Sequence, residues 1–140
     1  MLPKVRQFTQ QDVDCVAHIF EGIPDGWSST ALEESLSNSG IKSFVLEKDG
    51  NVVAFASYLV ADDAELVFVV TDKTQLKKGY GEKLLSETLE ILGLPCVLEV
   101  RESNIPAKTL YEKLGFELIG TRKNFYSNPR ENALIYKKEM

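Results

Sequence analysis

The sequence predicts a mixed α/β fold, and three observations carry that expectation. Asp49-Gly50 stands between two β-rich runs, a strong hairpin signal. A third run, Ala64 to Thr71, is dense in β-branched and aromatic residues. Beyond it, Lys77-Lys78-Gly79-Tyr80-Gly81 leads at once into a helical stripe and then a further strand. That order is a strand–loop–helix–strand crossover.

The elements follow in order. A short strand fits Lys4 to Phe8, and Asp12 to Phe20 reads as helix, with Val13, Val16, Ala17 and Phe20 at helical spacing. A Gly- and Pro-rich loop, Gly22 to Gly26, precedes a second helix after Trp27, where Thr30 and Glu33 have capping-box spacing. Lys42 to Lys48 and Asn51 to Val60 form the hairpin around Asp49-Gly50. After the third strand, Leu84, Leu85, Thr88, Leu89 and Leu92 make the apolar stripe of a helix that starts at the Gly79-x-Gly81 loop. Gly93-Leu94-Pro95 breaks it, and Cys96 to Arg101 follows as a strand. A helix over Ile105 to Leu114 stops at Gly115, a natural C′ residue. Phe116 to Arg122 and Ala133 to Lys138 are the last strands, joined by a polar loop.

Composition narrows the function. The 140 residues suit a single domain spanning 1–140, and 44% hydrophobic with 26% charged residues is ordinary for a soluble protein. A net charge of -5 argues against direct nucleic-acid binding, which needs clustered Lys and Arg. It is compatible with a cationic partner such as an amine or a basic peptide. The N-terminus carries Lys4, Arg6 and several glutamines rather than an apolar run, and Ala54 to Ala61 is too short to span a bilayer. No membrane association and a cytoplasmic location are therefore expected. The two cysteines, Cys15 and Cys96, are far apart and fit neither a disulfide framework nor a zinc site, and no metal is expected.

Three places could carry chemistry. Glycines at a helix start let free N–H groups reach an anion, and Lys77 and Lys78 add positive charge beside Gly79 and Gly81. Leu84 stands where a third glycine would complete a dinucleotide fingerprint, and no Walker spacing is present. A different phosphate-bearing ligand remains, or a plain turn. In Cys96 to Arg101, Glu99 is a carboxylate in an otherwise apolar strand; the simplest account of it is an ion pair with Arg101, two residues on along the same face. Tyr111 lies seven residues after Asn104 on one helix face, where it could equally belong to the stripe Ala107, Leu110, Leu114, with Asn104 a mere N-cap. His18, the single histidine, sits in a helical pattern and is no candidate catalyst.

Taken together, these segments resemble the GNAT superfamily of N-acetyltransferases, most of all its RimI-type group. Leu98-Glu99-Val100-Arg101-Glu102-Ser103-Asn104, continuing as Ala107 and Leu110-Tyr111-Glu112-Lys113-Leu114-Gly115-Phe116, is similar to that group's L-E-V-R-x-S-N and A-x-x-L-Y-x-x-L-G-F. Trp27-Ser28 resembles its W-S, Arg122 to Tyr126 its R-x-N-Y-Y, and Arg130 to Ile135 its R-E-D-A-L-I. The similarity runs in order over nearly the whole chain.

The resemblance implies a mostly antiparallel sheet of six to seven strands, splayed between the fourth and fifth, with about four flanking helices and acetyl-CoA in the opening. It implies that Val69, Val70 and Thr71 hold the acetyl and pantetheine portion, and that Lys77, Lys78, Gly79, Tyr80, Gly81 and Glu82 hold the pyrophosphate, mainly through backbone N–H groups. Asn104 would also contact the cofactor, Glu99 would be the general base and Tyr111 the general acid. Strand alternation puts Glu65 on one face with Val67 and Val69, which makes it the reserve candidate for the base. The implied acceptor is the N-terminal amine of a protein, the N-terminal alanine of a ribosomal protein in that group. A small amine, or acyl-CoA sensing without turnover, stays open, as does a monomer or a homodimer. Departures from the group's pattern are Leu76, the run Thr71 to Gln75, Asn132, and Phe68 in place of Asn.

The chemistry is consistent with that reading. An N-terminal amine with a pKa of ~8 is partly neutral near physiological pH, whereas a lysine at ~10.4 is almost wholly charged. One carboxylate, direct or through a water, is adequate for the former.

Overall fold

The computed structural model describes residues 2–23 and 25–139. Pro24 of the Gly22–Gly26 loop, Met1 and Met140 lie outside the described residues. The elements are β1 (Lys4–Gln7), α1 (Val13–Ile19), α2 (Ser29–Leu36), β2 (Ile41–Lys48), β3 (Asn51–Val60), β4 (Ala64–Thr71), α3 (Tyr80–Leu92), β5 (Cys96–Arg101), α4 (Ile105–Lys113), β6 (Glu117–Ser127) and β7 (Arg130–Lys138). They build one seven-stranded sheet in the order β1-β2-β3-β4-β5-β7-β6. All neighbours are antiparallel except β4 and β5.

Alternation along the strands divides the apolar residues between two faces. One face packs under α3 and α4, where Tyr58, Leu66, Leu84, Leu85, Leu98 and Tyr111 share a core. The Tyr58 hydroxyl and Thr88 Oγ1 meet at 2.6 Å inside it, so the one polar side chain on the α3 stripe is satisfied. The other face, over β2 to β4, packs under α1 and α2 around Val16, Leu32 and Phe55.

Two local expectations are corrected. The second helix is capped by Ser28, whose Oγ accepts from the Ala31 N–H at 3.2 Å, and not at Thr30. Residues 123–127 and 130–132 are strand and not loop, because β6 and β7 pair out to Ser127↔Arg130. An edge strand exposed along nearly its whole length has no apolar pattern to announce it.

The N-terminal corner is held by charge. Asp12 accepts from Arg6 Nη1 and Nη2 at 2.8 and 2.9 Å and from the Thr9 N–H at 2.8 Å. The Arg6 guanidinium holds the Asp12 carboxyl below the usual carboxylate range. Such a group stabilises the fold fully above about pH 4, and the contribution is lost as pH falls from there through the lowered native value. Asp12→Asn is expected to cost about 2 kcal/mol at neutral pH, allowing for the partial exposure of Arg6, and the deficit should shrink as pH falls below about 4. Urea unfolding at the two pH values measures both.

Candidate active site

β4 and β5 pair only at Ala64↔Cys96 and Glu65↔Val97. Beyond those positions the two parallel strands part, so the middle of the sheet opens. A bulge sits at the parting: Ser57 opposes Phe68 and Tyr58 opposes Leu66, leaving Val67 as the extra residue of β4. The bulge breaks the alternation that places Glu65 and Val69 on one face. Val69 instead packs with Leu66 toward α3, while Phe68 and Val70 pack toward α1 and α2. Glu65 lies in the paired stretch, before the opening begins. Residues Val67 to Thr71, which include Val69, Val70 and Thr71, are all half-buried, as strand lining a cleft should be.

The loop after β4 delivers a helix start to the end of this cleft. Asp72 Oδ1 accepts from the Thr74 N–H at 3.0 Å and starts a single 3-10 turn over Lys73–Gln75. Lys77 and Gly79 then take left-handed conformations, φ 64° and 78°. At Gly79 a side chain would be strained by that conformation, although the space around it is open, with nothing within 4 Å of a Cβ. The first intrahelical bond runs from the Lys83 N–H to Gly79 O at 3.0 Å. The N–H groups of Tyr80, Gly81 and Glu82 therefore have no intrahelical acceptor, and Gly79 supplies no side-chain cap. Gly81 packs close: a Cβ there would stand 3.4 Å from Thr71 Oγ1, so the helix start sits against the end of β4. Glu82, the acid of this first turn, is paired with Lys113 of α4 at 2.8 Å. Free N–H groups and the helix dipole, with Lys77 and Lys78 (the latter donating to Gln75 Oε1 at 2.9 Å) just before them in the chain, could hold an anion such as a pyrophosphate.

Tyr111 of α4 is on the same side of the sheet. It is only 8% exposed, and its hydroxyl has no hydrogen-bond partner among the described residues. No side-chain N or O atom among those residues is both sealed and unpartnered, so this hydroxyl opens to solvent. Burial pushes its pKa up to about 12. Asn104 is the N-cap of α4, its Oδ1 accepting from the Ala107 N–H at 3.2 Å, which leaves its amide N–H groups facing outward on an exposed residue.

Glu99 is on the opposite face. Cys96, Leu98 and Val100 are buried under the helices, and Val97, Glu99 and Arg101 alternate away from them, half-buried. The ion pair of Glu99 is with Arg122 Nε of β6, at 3.4 Å, and not with Arg101. Arg101 lies 4.3 Å over the Tyr126 ring and pairs with Glu131 at 3.2 Å. Arg101, Phe125, Tyr126 and Asn128 line a cavity of about 390 Å3 whose far wall is Asp25 of the α1–α2 loop. Burial also raises the pKa of the Tyr126 phenol. The helix start and Tyr111 thus lie toward one face of the sheet, and Glu99 toward the other. Arg122 and Tyr126 belong with Glu99; the Arg122–Tyr126 run is quoted in the resemblance, but nothing in the sequence ties it to residue 99.

Neither thiol is poised as a thiolate, since burial raises Cys15 and takes Cys96 to about 11. Among the described residues no group of three or more His, Cys, Asp or Glu could hold a metal ion, and no helix is long and apolar enough to cross a membrane.

Residues 11–116 match the acetyltransferase (GNAT) family. The chain is 36% identical over 134 residues to the [ribosomal protein bS18]-alanine N-acetyltransferase of Haemophilus ducreyi, covering 89% of this chain and 87% of that one. It is 38% identical over 108 residues to the Escherichia coli K12 protein of the same name, covering 71% and 73%. In three dimensions it resembles the crystal structure of the ribosomal-protein-S18-alanine N-acetyltransferase from Escherichia coli, with a TM-score of 0.86, 29% identity and 99% of this chain covered against 94% of that one. A sheet parted beside a glycine-started helix, and sequence similarity over most of the chain, lead to one conclusion: this chain belongs to the GNAT family of N-acetyltransferases, which are acyltransferases.

Proposed function

We propose that this protein acetylates the N-terminal amine of a protein, with acetyl-CoA as donor and the N-terminal alanine of a ribosomal protein as acceptor. One observation supports the reading: past Glu65↔Val97 the two strands part, and β5 and the helix that follows it carry a half-buried carboxylate, Glu99, and a solvent-open phenol, Tyr111. The names of the relatives support the choice of acceptor.

Acetyl-CoA supplies the activated thioester. The residues that hold it are Lys77 to Glu82 at the pyrophosphate, Val69, Val70 and Thr71 along the cleft, and Asn104 at the α4 start. Glu99 takes the proton from the attacking amine as the C–N bond forms, either directly or through one water. A main-chain N–H of the β4 stretch past the bulge hydrogen-bonds the acyl oxygen as it gains charge. Tyr111 donates its O–H to the departing sulfur as the C–S bond breaks. A phenol near 12 facing a thiol of ~8.5 makes complete proton transfer uphill by roughly 5 kcal/mol, so Tyr111 acts as a hydrogen-bond donor to a thiolate that leaves as such.

Free-thiol release from acetyl-CoA tests the reading. It is expected to be fast with a peptide that begins in alanine, and slow with N-blocked peptide, polyamines, amino acids and aminoglycosides. Turnover with a small amine alone would replace the acceptor, and tight acetyl-CoA binding without any turnover would replace the enzyme with a sensor.

A further inference from the structure

The bulge at Val67 does more than bend β4. The strands stop pairing after Glu65↔Val97; counted on in step from there, Leu66 matches Leu98 and, with Val67 as the extra residue, Phe68 matches Glu99. Phe68 is also on the same face, turned toward α1 and α2 while Glu99 points away from α3 and α4. Without the bulge, Val67 would stand opposite the carboxylate.

Phe68 is held in place by other rings. Its centroid is 5.0 Å from Phe20 and 5.4 Å from Trp27, both edge-on, and Trp27 lies 6.3 Å from the fully buried Phe55. Edge-to-face packing of this kind fixes a ring's orientation. Phe20 is buried, whereas Phe68 and Trp27 keep part of their surface open. None of the ion pairs of the described residues involves a group on this aromatic wall.

We infer that Phe68, backed by Trp27, forms the subsite for the first side chain of the acceptor and restricts it to small uncharged residues. This rests on the proposed N-terminal acetylation. An amine within reach of Glu99 carries its Cα and first side chain beside it, and the wall facing Glu99 across the opening is aromatic. A charged first side chain would lose water against the rings, which offer it no partner of their own. A long one would meet a ring that is locked on its far side and cannot retreat.

The test is a ratio measured on one enzyme preparation, so that loss of folded protein cancels. Thiol release is followed with peptides that are identical except for Ala, Met or Glu at the first position, on the wild type, Phe68→Ala and Phe68→Asn. Wild type should prefer Ala over both by at least about tenfold in kcat/KM. Phe68→Ala should cut the preference over Met about tenfold, and Phe68→Asn should cut the preference over Glu. Unchanged ratios in both variants, with good turnover of the Ala peptide, would overturn the subsite and leave the proposed reaction standing. No turnover of any peptide by the wild type would overturn the reaction and this subsite together.

Discussion

Glu99→Gln is expected to lower kcat by about two to four orders of magnitude while acetyl-CoA binds as before. The amide keeps the size of the carboxylate and cannot accept the proton that the amine must lose. Binding should be spared because the proposed anion cradle at Lys77 to Glu82 is on the other side of the sheet from Glu99. Folding should be nearly spared too: Arg122, 57% exposed, is simply released to solvent, and exposed pairs contribute at most about 1 kcal/mol. The pH dependence identifies the step. If Glu99 only deprotonates the free ammonium, the deficit shrinks above about pH 9, where the amine is already neutral. If it takes the proton during attack, the deficit persists. Steady-state rates from pH 6 to 10, with acetyl-CoA titrated calorimetrically, separate these outcomes, and a wild-type kcat in the variant would remove Glu99 from the reaction.

Tyr111→Phe should lower kcat by about two orders of magnitude, the usual effect of losing one hydrogen-bond donor to developing charge. This substitution is unusually clean, because the hydroxyl has no partner among the described residues and the ring packs 5.8 Å from Phe116 whether or not it is a phenol. Thermal stability should therefore stay within about 0.5 kcal/mol of wild type. A Tyr136→Phe control loses the 2.8 Å bond to Glu112 and should melt earlier with its kcat intact. With the phenol near 12, protonated Tyr111 persists across the working range and gives kcat no basic limb below about pH 11. A limb near pH 9 that disappears in the Phe variant would show the hydroxyl titrating in the complex.

Much of this was legible in the sequence, and what was not has identifiable causes. Asn51–Val60, Ala64–Thr71 and Cys96–Arg101 are strands with the bounds their apolar runs indicate, because all their residues but Asn51, Leu59 and Glu65 are buried or half-buried. The bulge escaped because Val67 is as good a strand residue as its neighbours; only pairing with β3 reveals that it has no counterpart. The outer half of β6 escaped because its residues face water. For Glu99, the sequence carries the carboxylate and its strand face. Its partner, Arg122, is brought in by an antiparallel β6–β7 pairing that no short-range spacing encodes. The helix start at Gly79 was readable, because a left-handed entry and an uncapped first turn are local properties of glycine.

The parting of β4 and β5 also has a consequence for solubility. A sheet ordinarily has two edges, here β1 and β6, and edges can recruit foreign strands. This sheet exposes another along β4, in its own middle, and the stretch Leu66-Val67-Phe68-Val69-Val70-Thr71 is uncharged and strongly β-forming, the composition of an aggregation-prone segment. Asp72 and Lys73 follow it directly and act as charged gatekeepers. On the proposed reading, the thioester donor covers this interior edge whenever it is bound. Occupancy of the cleft then protects the chain from self-association as well as supplying the acyl group, and the empty enzyme is the species most exposed to that hazard.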